Sequence, residues 1–177
     1  MKLDWEKFKD VVHYVVDKAS SNPSVLGAIK LNKVLWYSDA IHYMVTGESI
    51  TGETYVKRQF GPVPKHVLGA IDELVKDGKI LRGKVDHFGH MKNEYIVIQE
   101  ASKDKFTAEE LDLVDTAYEH VCLNHTAMSV SEETHGIIWQ LAELGEELPL
   151  STAFASSVGE ITENDLTWAE NNLKKAA

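Results

Sequence analysis

The chain has 177 residues, 44% apolar and 26% charged, enough for one domain with a real core and unlike a disordered segment. No run approaches the roughly 18 apolar residues that cross a bilayer, and Met1-Lys2-Leu3-Asp4-Trp5-Glu6 lacks a signal peptide's apolar stretch, so a cytoplasmic protein without membrane contact is expected. The net charge of −10 is lopsided: residues 1–100 carry 14 Lys/Arg against 13 Asp/Glu, residues 101–177 carry 4 against 15, and such an acidic half repels a phosphate backbone.

Trp5, Phe8, Val11, Val12, Val15 and Val16 recur at three- and four-residue spacings, so residues 4–19 read as an amphipathic helix opened by Asp4. Ser20-Ser21-Asn22-Pro23 ends it, because the residue before proline avoids the helical basin. A second helix fits 25–46, apolar almost all round and therefore central, with Gly47 as its C-cap. Ile50–Phe60 alternates and reads as extended. Gly61-Pro62-Val63-Pro64 reads as a rigid turn, with Pro64 opening a helix over 64–77 that Asp77-Gly78 closes. Lys79–Val85 and Glu94–Gln99 form a hairpin around Asp86-His87-Phe88-Gly89-His90, with both histidines expected in solvent. Thr107-Ala108-Glu109-Glu110 is a capping-box start for a helix to His120 or Leu123. Ser131–Leu144 reads as another helix, and Asn164 or Asp165 as the start of a short last one carrying Leu166 and Trp168. The fold class is α+β, mostly α: a helical bundle with one small antiparallel sheet. Residues 1–145 make the domain, and 146–177 an acidic helical extension packed on it.

Familiar catalytic signatures do not occur: no P-loop, dinucleotide-binding glycines, nucleophile elbow or His-Glu-x-x-His. Lone Cys122 excludes an internal disulfide. It sits in His120-Val121-Cys122-Leu123-Asn124-His125, where a buried cysteine is favoured over a metal ligand because no second ligand pair has zinc spacing. No metal and no cofactor are expected. Asp39 and His42 share one helix face; they read as a half-buried polar anchor against the Gly61–Pro64 corner, the alternative being an acid–base pair, with His66 a third member. Glu132, Glu133 and His135 suit a helix start. Helix 64–77 followed by a hairpin is the order of a winged helix, and Lys57, Arg58, Lys65, Lys76, Lys79, Arg82, Lys84 and Lys92 lie in or near it. The local excess over five acids is thin, so DNA-binding regulation is the alternative and not the leading reading.

Lys30-Leu31-Asn32-Lys33-Val34-Leu35-Trp36-Tyr37-Ser38-Asp39, then His42, Gly47, Ile50-Thr51-Gly52, Tyr55 and Phe60-Gly61-Pro62-Val63-Pro64, resemble the Panacea domain. The likeness continues through Gly78-Lys79-Ile80 to Thr134-His135-Gly136-Ile137-Ile138-Trp139, where the family often has serine in place of Thr134. The family comprises SocA-like antitoxins and phage-associated proteins. The resemblance implies an antitoxin, not an enzyme, that neutralises a cognate toxin encoded by an adjacent gene through direct binding. Its SocA-like branch implies a protease-adaptor role, with a protease as second partner. Leu31, Val34, Leu35, Trp36 and Trp139 then read as the motif's core. The candidate partner-binding set is Tyr55, Arg58, Phe60, Gly61, Pro62, Val63 and His66, since aromatics and Arg dominate interfaces; the alternative is a buried turn tying strand to helix.

Overall fold

The structure, a computed structural model, describes residues 2–87 and 89–153. Helix α1 spans Trp5–Lys18. Asp4 starts it, its carboxylate accepting the Lys7 N–H at 3.0 Å. The three- and four-residue spacing puts Phe8, Val11, Val12, Val15 and Val16 on one buried face, each contributing about 1.5–3 kcal/mol by leaving water. Helix α2, Ala28–Thr46, is buried without a break from Lys33 to Ala40. Gly47 closes it at φ 82°, in the left-handed region.

The central position of α2 sets the architecture. Strands β1 (Tyr55–Arg58), β2 (Gly61–Pro64) and β5 (Glu147–Leu148) form an antiparallel sheet in the order β2-β1-β5, with β2 packed on α2. Helix α3 (Val67–Lys76) packs on α1, and β3 (Ile80–His87) pairs with β4 (His90–Val97) as a separate two-stranded sheet. Helix α4 (Ala108–Tyr118) lies along α2 and continues into a π-helical turn, Glu119–Asn124. Helix α5 (Ala127–Glu133) also contacts α2, and α6 covers Ile137–Leu141. The class is mostly helical α+β, as the sequence pattern indicates.

Four local expectations are corrected. Gly61–Pro64 is a strand and not a turn, with Pro62 opposite Lys57 and Pro64 opposite Tyr55. The Lys65 N–H donates to the Thr54 carbonyl, so Val63 and Gly61 also face β1 while both proline nitrogens face away from the ladder, which an edge strand permits. Helix α3 consequently starts at Val67 and not at Pro64. There are two small sheets among the described residues, because the β3–β4 hairpin does not join β1. The helix expected over 131–144 is two short helices: Thr134 turns its hydroxyl onto the Ser131 carbonyl at 2.9 Å, and Gly136 is extended (ψ 173°) at the start of α6. The helix expected from Asn164 or Asp165, with Leu166 and Trp168, lies outside the described residues.

Candidate functional site

Three separate pieces of chain meet beside α2. Lys33 projects from α2 into a buried position, 1% exposed, where its ammonium donates a long hydrogen bond of 3.5 Å to the Pro62 carbonyl. Burial pushes its pKa down to about 7. Gly61 allows this approach: at φ 103° it occupies a region that L side chains avoid, and a Cβ there would run into the Lys33 ammonium and the Thr134 hydroxyl. From the third piece, His135 and Trp139 stack with ring centroids 3.7 Å apart and planes 8° from parallel. The Lys57 ammonium covers the Trp139 ring at 4.3 Å, a cation–π contact, and donates to the Ala142 carbonyl at 2.9 Å. Burial and the Lys33 charge hold His135 below the usual histidine range. Trp36, Pro62, Thr134, Gly136 and Trp139 line a cavity of about 20 Å³, the room of a single water. His135 Nε2 and Trp139 Nε1 are the buried side-chain polar atoms without a hydrogen-bond partner among the described residues.

The residues expected to meet a partner separate into two groups. Tyr55 is a core residue, 1% exposed: its ring meets Trp36 edge-on at 5.0 Å and its hydroxyl donates to Asp39 and to the Leu35 carbonyl, both at 2.8 Å. Gly61 and Pro62 are buried and Val63 is partly buried. Arg58 and Phe60 are exposed at the β1–β2 hairpin end, Phe60 by 50%. Beside them, Gly145 donates to the Lys57 carbonyl and tethers a segment bearing the exposed Leu141 and Leu144. His66 is also exposed, with Nδ1 3.0 Å from the carboxylate of the buried Glu53. Of the expected motif core, Leu31, Val34, Leu35 and Trp36 are fully buried, and Trp139 packs partly buried against them.

Asp39 and His42 do not form the expected joint anchor to the Gly61–Pro64 segment. Asp39 faces inward and accepts the Thr51 N–H (3.1 Å), the Thr51 hydroxyl (2.7 Å) and the Tyr55 hydroxyl. Burial pushes its carboxyl up to about 6. His42 instead donates to the Glu48 carbonyl at 2.6 Å, closing the end of α2. Lys33, three residues before Trp36, takes the place at Gly61–Pro62 assigned to that pair. The sequence reading missed Lys33, since Lys30 and Asn32 beside it made it one polar residue among several at the start of the helix. Cys122 is buried, which raises its thiol pKa to about 11.

The family model described as antitoxin SocA-like, Panacea domain, matches residues 31–140. The chain belongs to that family. No curated protein and no solved structure matches it. The matched span of this Panacea domain runs from the start of the buried face of α2 to α6 and contains Lys33, Gly61, Pro62, His135 and Trp139. Its α3 carries Leu68, Gly69, Asp72 and Lys76 outward, and Asp72 holds Arg82 of the hairpin at 2.8 Å. An acid paired to the wing cation at that position does not favour phosphate contact. No helix among the described residues is long and apolar enough to cross a membrane.

Proposed function

We propose that this Panacea domain is an antitoxin that neutralises a toxin protein by direct binding and performs no catalysis. The family match over residues 31–140 carries the reading. The contact face proposed is the end of the β1–β2 hairpin, where Arg58 and Phe60 stand in solvent near Leu141 and Leu144. An exposed Arg and aromatic ring, next to a strand position to which a segment with exposed leucines is hydrogen-bonded, have the composition of an interface hot spot. The buried Lys33–Gly61–Pro62 junction keeps β2 against α2 and thereby holds the hairpin rigid, so little ordering cost opposes docking.

The cognate toxin is proposed to be the product of an adjacent gene, met in the cytoplasm, and the SocA-like kinship supports delivery of that toxin to a protease. Co-expression with the neighbouring gene's product tests the binding reading. Growth restored by the intact chain, and lost with a Phe60→Asp, Leu144→Asp double variant that keeps its thermal stability, is the expected outcome. A neighbour that neither binds nor is detoxified contradicts it.

A further inference from the structure

We propose that His120, His125 and Glu133 form a binding site for a divalent transition-metal ion of the zinc class, with water in the remaining position. His120 Nε2 lies 2.9 Å from Glu133 Oε1, and His125 Nε2 lies 3.3 Å from Glu133 Oε2. One ligand atom from each of the three side chains lies within 4.8 Å of the other two. A tetrahedral ion with bonds of 2.0–2.1 Å places its ligand atoms about 3.3 Å apart. Each imidazole is therefore already near coordination spacing from the carboxylate, His120 from one oxygen and His125 from the other. Small side-chain adjustments would bring one atom of each, now within 4.8 Å of one another, onto a shared ion.

The surroundings orient two of the three groups, His125 and Glu133, as metal ligands are oriented. Ser129 Oγ lies 3.1 Å from His125 Nδ1, which leaves Nε2 to face the carboxylate, and Ser129 is itself fixed by accepting the Thr126 N–H at 3.0 Å. The Tyr37 hydroxyl donates to Glu133 Oε1 at 2.7 Å. Such supporting hydrogen bonds set ring and carboxylate orientation at metal sites. Backbone geometry contributes as well: the π-helical turn Glu119–Asn124 follows α4 without a break, and π turns of this kind concentrate at functional sites. It turns His120 toward α5, with the imidazole ring centroids of His120 and His125 4.6 Å apart.

Two imidazoles and one carboxylate are a borderline donor set that suits zinc, cobalt or nickel and not calcium or magnesium. The side chains remain 39%, 26% and 37% exposed, so the ion can enter and a water can complete its shell. Cys122, in the same turn, is buried and stays outside the donor set.

Cobalt titration of the full chain tests this directly. One equivalent should give the visible ligand-field bands of tetrahedral cobalt without a thiolate charge-transfer band, reversed by added zinc. His120→Ala and His125→Ala should abolish saturable binding while circular dichroism stays native, and Ser129→Ala should weaken it about 10–100-fold. Should either histidine variant fail to fold, Glu133→Gln supplies the same comparison. Binding that is absent at millimolar metal, unchanged in these variants, or accompanied by a thiolate band that Cys122→Ser removes would overturn the assignment.

Discussion

Two carboxylates, one on α2 and one on the neighbouring α5, use the same chemistry in opposite settings. Asp39 and Glu133 each accept a tyrosine hydroxyl, from Tyr55 and Tyr37 respectively. Asp39 is 1% exposed and its other bonds are to Thr51, so its oxygens are committed to tying α2 to the chain ahead of β1. Glu133 keeps a 37% exposed side chain and faces two imidazoles. Solvent access, not residue type, separates the carboxylate that holds the fold from the one that can take a ligand.

Substitutions around the buried carboxylate should be the costly ones. Trp36→Ala, which removes the ring lying against Tyr55, should cost about 3–5 kcal/mol in denaturant unfolding. Asp39→Ala should follow at about 3 kcal/mol, because the Thr51 N–H and hydroxyl lose their buried acceptor. A loss under about 1 kcal/mol for Asp39→Ala would show that water reaches this site and would dissolve the contrast.

Lys33 sharpens the comparison through pH. Its pKa falls from 10.5 to about 7 on folding, so between those values the unfolded chain binds more protons than the folded one. Stability should therefore rise with pH from about 7 upward, the cost of a buried ammonium being full below that and relieved as the proton leaves. Urea unfolding of the wild type between pH 7 and 9 should show the rise, and Lys33→Met should flatten it. The smallest effect belongs to the open carboxylate: Glu133→Gln should change stability by less than about 1 kcal/mol, since its contacts with the two imidazoles are solvated and an amide oxygen can still accept the Tyr37 hydroxyl.

Much of the fold was legible in local pattern. The Asp4 and Thr107 caps, the left-handed Gly47 and the β3–β4 hairpin each follow from a few neighbouring residues. Pro62 and Pro64 misled, because a fixed φ suits both a turn and an edge strand, and only pairing with Tyr55–Arg58 distinguishes them. The break after Glu133 was hidden in a run whose apolar spacing continues through Thr134–Gly136. At the candidate site, the motif residues could be named, but not that Tyr55 faces inward or that Lys33 meets Gly61. The His120–His125–Glu133 cluster was equally out of reach: the π turn changes which side of the helix His120 faces, and Glu133 comes from the next helix.

The most direct measurement is calorimetric titration of the purified chain with the neighbouring gene's product, comparing wild type with an Arg58→Ala, Phe60→Ala double variant. The expected result is tight binding by the wild type and at least a tenfold weaker constant for the variant, a loss of about 1.4 kcal/mol, with unchanged melting temperature. Equal affinity in both proteins would contradict the hairpin end as the toxin-binding face.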